Sequence, residues 1–199
     1  MQPPYPRQRA GAAHPSRDPP GLDWRLSMRR RDVMPELLVR IKKKPDGDAA
    51  LSCVRADGSV TWQRQEGRHG RFFPLHDLTH YAVETELGHR RGFFGMLADG
   101  WDIGDFGAPW PKGPMPADMD PSEAIVGLLD AERYQGIRMT VAELHEVSGH
   151  PVRDALGDIT DADLDRVRAR RAELFAMWEA LAPGDTLELP FDVPPDRGT

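Results

Sequence analysis

A single cysteine in 199 residues leaves Cys53 without a partner in the chain, so no intrachain disulfide can form. No stretch approaches the roughly 18 consecutive apolar residues of a membrane-spanning helix. The opening MQPPYPRQRAGAAHPSRDPP has no continuous apolar segment that could serve as the core of a secretory signal. A cytoplasmic protein without a membrane span is the expectation. The sequence also lacks GxSxG, a phosphate-binding P-loop and a dinucleotide fingerprint, which removes support for serine hydrolase, ATPase and Rossmann readings. Internal repeats and the parallel βαβ alternation of nucleotide-binding folds are missing as well.

What is present is unevenly charged. Residues 1–44 hold eleven Lys and Arg against four Asp and Glu, a net of +7, so within an overall charge of −6 the remainder carries −13. Arg29, Arg30 and Arg31, followed by Lys42, Lys43 and Lys44, are the contact points such an arm would offer an anionic partner. The acidic body and the lack of a recognisable module weigh against nucleic acid. Residues 1–22, rich in Pro, Gly, Arg and Ala, bury too little apolar surface to offset the entropy of ordering and read as a disordered basic tail. Residues 23–199 are then one domain.

Alternation marks its first part. Leu37, Val39 and Ile41 share one strand face, PDGD makes a turn, Leu51 and Cys53 continue in a second strand, and Asp57-Gly58 is a hairpin signal before Val60 and Trp62. A helix is expected from Pro74 to about His89, and an apolar helical piece from about Phe93 to Asp99. GDFGAPWPKGPMPADMDP, with five prolines and three glycines, is a loop whose Phe106 and Trp110 suit an ordered cover. Helix starts follow at Asp120 with Glu123, Thr140 with Glu143, and Thr160 with Asp163, and LAPGDTLELPF reads as a turn and a last strand. The expected fold is α+β: a small antiparallel sheet, a three-strand meander with a C-terminal strand that rejoins it, packed against four to five helices.

Chemistry concentrates in HDLTHYAVE, which places His76, Asp77, His80 and Glu84 within about a third of a helix circumference. Histidines at i and i+4 let two imidazoles reach one cation, and a divalent ion satisfies several buried lone pairs at once. His76 and His80 are the candidate metal ligands; Asp77 and Glu84 are the candidate catalytic groups that would move a proton. Glu84 lies about 12 Å along the axis from His76, so it serves as proton shuttle or support for a ligand rather than as a third ligand. Asp99, Asp102 and Asp105 are the nearest carboxylates that could complete the site, with His145 as a more distant candidate. LHEVSGH, with His145, Glu146 and His150, imitates HExxH, but its histidines are five apart and diverge by about 140° around a helix. Cys53, on a strand face beside Leu51, reads as core filler.

HDLTH resembles the HDxxH motif of the zinc-associated ubiquinone-biosynthesis family, which places a Glu after eleven intervening residues; that position is Gly92 here. LHDLTH is similar to the LHDIGH-type segment of HD-domain phosphohydrolases, whose metal site takes a further His from a preceding helix, whereas His69 stands seven residues upstream in an expected loop. The pattern also resembles the HExxH of zinc peptidases, with Asp77 at the position of the Glu base. Each likeness covers this one helix.

Two functions emerge. In the first, a divalent metal, zinc, on His76 and His80 activates water for hydrolysis or lyase chemistry on a small-molecule substrate. In the second, a non-catalytic interaction or scaffold protein uses the basic arm and the Pro/Trp loop as its contact surface. Substrate, oligomeric state and the remaining ligands do not follow from the sequence.

Overall fold

In the computed structural model, which describes residues 35–147 and 149–194, the first three strands form the expected meander: β1 (Leu37–Lys43), β2 (Ala49–Arg55) and β3 (Val60–Gln65). Helices α1 (Arg68–Leu87) and α2 (Phe93–Ala98) follow, then a 3-10 turn over Ile103–Phe106. The remainder is α3 (Ser122–Gln135), α4 (Val141–Val147), α5 (His150–Leu156), α6 (Asp161–Ala180) and β4 (Thr186–Phe191). Among the described residues the fold is α+β, with one four-stranded antiparallel sheet in the order β3-β2-β1-β4 and six helices packed on it or on one another. The expected tail over residues 1–22, and Arg29, Arg30 and Arg31, lie outside the described residues.

The register follows from the alternation. Pairing Val39 with Cys53 and with Leu189, and Ile41 with Leu51 and with Leu187, brings the apolar members of three strands onto one face. That face receives Leu78, Tyr81, Ala82 and Val83 of α1, Phe94 and Leu97 of α2, and Val167 and Leu174 of α6. A fully buried Leu of this kind contributes roughly 1.5–3 kcal/mol relative to exposure. A smaller apolar cluster of Leu144, Leu156 and Leu164 joins α4, α5 and α6. The chain turn at Asp57-Gly58 is made as its residues require: Gly58 has φ +83° and donates its N–H to Arg55 O. The capping boxes at Thr140/Glu143 and Thr160/Asp163 both form.

Three departures from the expected elements have local causes. The first is the start of α1, which lies at Arg68, with Pro74 inside it. The added first turn is closed by i→i+3 bonds from His69 N to Glu66 O and Gly70 N to Gly67 O, and Asp48 Oδ1 accepts the Gly67 N–H. His76 and Asp77 therefore lie in the third turn and not in the first, beyond the reach of the helix N-terminal dipole. The second departure is at Gly149, where the chain is extended and restarts as α5 with proline in its first turn, a further helix not among those expected. The third concerns Lys43, whose Nζ donates to the carbonyls of Trp178, Glu179 and Leu181. It caps the C-terminus of α6 instead of extending a basic contact surface.

Candidate metal centre

Helix α1 crosses the sheet with its apolar side down and packs against α3 and α6. His76 and His80, one turn apart, rise from its opposite side towards the start of α3. Their rings stand 4.9 Å apart at 77°. A carboxylate stands beside one nitrogen of each. His76 Nδ1 bonds Asp130 Oδ2 at 2.9 Å, whereas His80 Nδ1 faces Glu84 Oε1 at 3.4 Å, an ion-pair distance without a hydrogen bond. With a proton on the Nδ1 of His76, its Nε2 presents a lone pair, the arrangement by which a carboxylate fixes a metal-binding histidine.

The two Nε2 atoms share a third neighbour. Glu123 Oε2 lies 3.0 Å from His80 Nε2 and 3.9 Å from His76 Nε2. His76, His80 and Glu123 each offer one ligand atom, and these atoms lie within 4.8 Å of one another. Ligands about 2.0–2.1 Å from a tetrahedral zinc stand about 3.3 Å apart, so small side-chain rotations suffice to enclose an ion. The histidine side chains are 9% and 5% exposed, whereas that of Glu123 is 47% exposed. The centre therefore opens on the Glu123 side. Phe72 stacks on His76 at 5.2 Å and Phe93 lies 5.4 Å from His80, giving apolar flanks.

Glu84, Glu123 and Asp130 surround the two imidazoles, and among the described residues the guanidinium seen in contact is that of Arg133, whose Nη2 is 3.4 Å from Asp130 Oδ1. Burial works against a charged His80, but the hydrogen bonds and charges of Glu123 and Glu84 outweigh it and raise its pKa from 6.5 to about 10. Burial raises Glu84 from its ordinary value as well, against the opposing effect of His80 and of two backbone donors. Those donors are the N–H groups of Phe94 and Gly95 at the start of α2, which bond Glu84 Oε2 at 2.9 and 3.2 Å.

Glu84 can occupy this position because residue 92 is glycine. A Cβ there would stand 2.4 Å from Glu84 Cδ and 2.6 Å from Ser122 Oγ. Gly92, the position at which the resembled ubiquinone-biosynthesis motif has its Glu, thus borders the carboxylate of Glu84.

Asp77 does not join the group. It turns towards the end of β3, where its Oδ2 accepts a 2.6 Å hydrogen bond from Gln65 Nε2. Burial raises its pKa to about 6, with His76 and Gln65 opposing. The acids of ADGWDIGDF also have other partners: Asp99 faces Arg91 at 3.5 Å, Asp102 pairs with Arg55, and Asp105 bonds Asp102 N and Lys112. His145, on α4, is not among the grouped ligand atoms of the described residues. The third ligand atom comes instead from Glu123, which in sequence looks like a helix-start acid. Asp120, the expected cap beside it, accepts from Arg91 N, and the N-cap of α3 is Pro121 without a side-chain bond.

Among the described residues no helix is long and apolar enough to cross a membrane. No protein-family model matches the chain, and no curated protein or solved structure shows significant similarity to it.

Proposed function

We propose that this protein is a metal-dependent hydrolase or lyase in which His76 Nε2, His80 Nε2 and Glu123 hold one divalent ion, zinc by the nitrogen-rich donor set. The observation that carries the reading is the pair of carboxylates behind the histidines. Asp130 bonds His76 Nδ1 and Glu84 faces His80 Nδ1 at 3.4 Å, which leaves both Nε2 atoms towards one locus. Three protein ligands with one half-exposed side correspond to a catalytic rather than a closed structural site.

The ion would supply a Lewis acid that polarises a substrate oxygen and makes water a nucleophile near neutral pH. Glu84 acts as a positioning residue for His80, and Asp77 serves the α1–β3 contact. Elemental analysis of untagged protein tests the site: about one zinc per chain is expected, lost in the His76→Ala/His80→Ala variant. Wild-type protein that contains no metal and takes up no added zinc would refute it. Hydrolysis of a panel of ester, amide and phosphoester probes, abolished by chelation and restored by zinc, tests the activity.

The interaction-protein reading finds support in a different place. Trp110, 46% exposed, lines an apolar groove of about 500 Å³ with Pro109, Pro114 and Met115. Zinc-independent capture of a partner that fails with Trp110→Ala would favour it.

A further inference from the structure

Away from the histidine pair, the end of α3 and the middle of α6 border a groove of about 380 Å³ lined by Arg133, Arg138, Arg168 and Arg171 together with Glu132, and by Ile137, Ala172 and Phe175 on its apolar side. One of the guanidiniums is fully engaged: Arg168 binds both oxygens of buried Glu132 and also Asp165 and the Met139 carbonyl. Arg138 pairs with Asp165 through Nη2 alone and is 64% exposed. The other two have weaker company. Arg171 donates to the Leu129 carbonyl and has no carboxylate partner among the described residues. Arg133 reaches Asp130 only at 3.4 Å, and its Nε is buried without a hydrogen-bond partner.

We propose that this groove binds a small phosphate-bearing molecule, with Arg171, Arg133 and Arg138 on its phosphate and Ile137 and Phe175 against its body. Planar guanidinium forks match the several acceptor oxygens of a phosphate, and the volume suits a small ligand. Part-burial lowers the pKa of Arg171 against the opposing charges of Glu132 and Asp130, and the neighbouring Arg133 and Arg168 add to the lowering. The proposal does not depend on an ion at His76 and His80.

The test uses full-length protein treated with chelator. Melting temperature is followed in a titration with inorganic phosphate, against chloride and acetate at equal ionic strength. A saturable rise with phosphate alone is expected, with Arg171→Gln and Arg138→Gln each weakening the apparent affinity roughly tenfold or more. Arg138 is 64% exposed, so its variant keeps the fold even if Arg171→Gln, which frees the Leu129 carbonyl, does not. No saturable phosphate effect, an equal effect of acetate, or an unchanged affinity in Arg138→Gln would overturn the proposal.

Discussion

Helix α3 carries two buried charge clusters, one on each flank, and they differ in balance. On one flank Glu132, 3% exposed, is matched by Arg168, 10% exposed, with two carboxylate–guanidinium bonds and a third to Met139 N. Within that pair charge equals charge, and it ties α3 to α6. On the other flank Asp130 and Glu123 meet His76, His80 and Glu84, and among the described residues carboxylates outnumber fixed cations. A balanced buried pair is sufficient as a structural joint. An unbalanced one needs a proton or a metal ion to complete it, and that requirement is what makes it a site.

The largest effect expected from this contrast is on stability. Arg168→Ala leaves Glu132 buried and unpaired, which costs about 3–5 kcal/mol and lowers the melting temperature by about 10 °C. His76→Ala/His80→Ala should cost less than that in metal-free protein while abolishing metal uptake. Calorimetry of both variants beside wild type, with zinc content measured in parallel, checks the ranking. A histidine variant as damaged as Arg168→Ala without zinc would place both clusters in the same structural class.

The next effect is a pH dependence that only the unbalanced cluster should show. The folded pKa of His80 is raised from 6.5 to about 10. The protonated form is therefore the one that folding favours. Its contribution is fully present below pH 6.5 and is lost as pH rises through about 10. Metal-free protein should lose roughly 2–4 kcal/mol across that interval. Zinc replaces the proton, so the loaded protein should be nearly flat over the same range and should release about one proton per ion bound near pH 8. A metal-free melting curve independent of pH from 6.5 to 10 would show that Glu84 and Glu123 do not hold the proton on His80.

Much of this was legible in the residues. Strand alternation, the Asp57-Gly58 turn and the Thr160/Asp163 cap are local signals with local causes, and each element appears where its signal stands. His76 and His80 were visible because i,i+4 spacing alone puts two rings on one helix face. Glu123 was not, because an acid three residues after a candidate cap is an ordinary helix-start signal, and tertiary packing decides whether it faces a neighbour. Asp130, seven residues on and hence on the same face as Glu123, gave the one available hint: two acids two turns apart on α3, opposite two histidines one turn apart on α1. ADGWDIGDF misled for the converse reason. Its acids are near in sequence, but Arg55, Arg91 and Lys112 reach them first.

The smallest effect expected is also the sharpest test of the unbalanced cluster, because it removes no charged group. Gly92→Ala adds one methyl group where the Cβ would stand 2.4 Å from Glu84 Cδ and 2.6 Å from Ser122 Oγ. Both neighbours are buried, so Glu84 must turn away from the N–H groups of Phe94 and Gly95 and from His80 Nδ1. His80 then loses the carboxylate that orients it, while His76, Glu123 and Asp130 are untouched. Loss of one such support typically weakens metal affinity about 10–100-fold. Zinc competition against a chelating dye should show a weakening of that size in Gly92→Ala, and a comparable one in Glu84→Gln. If the glycine variant binds zinc like wild type while Glu84→Gln does not, the carboxylate has room to move without releasing His80, and Gly92 is not what holds the two in register.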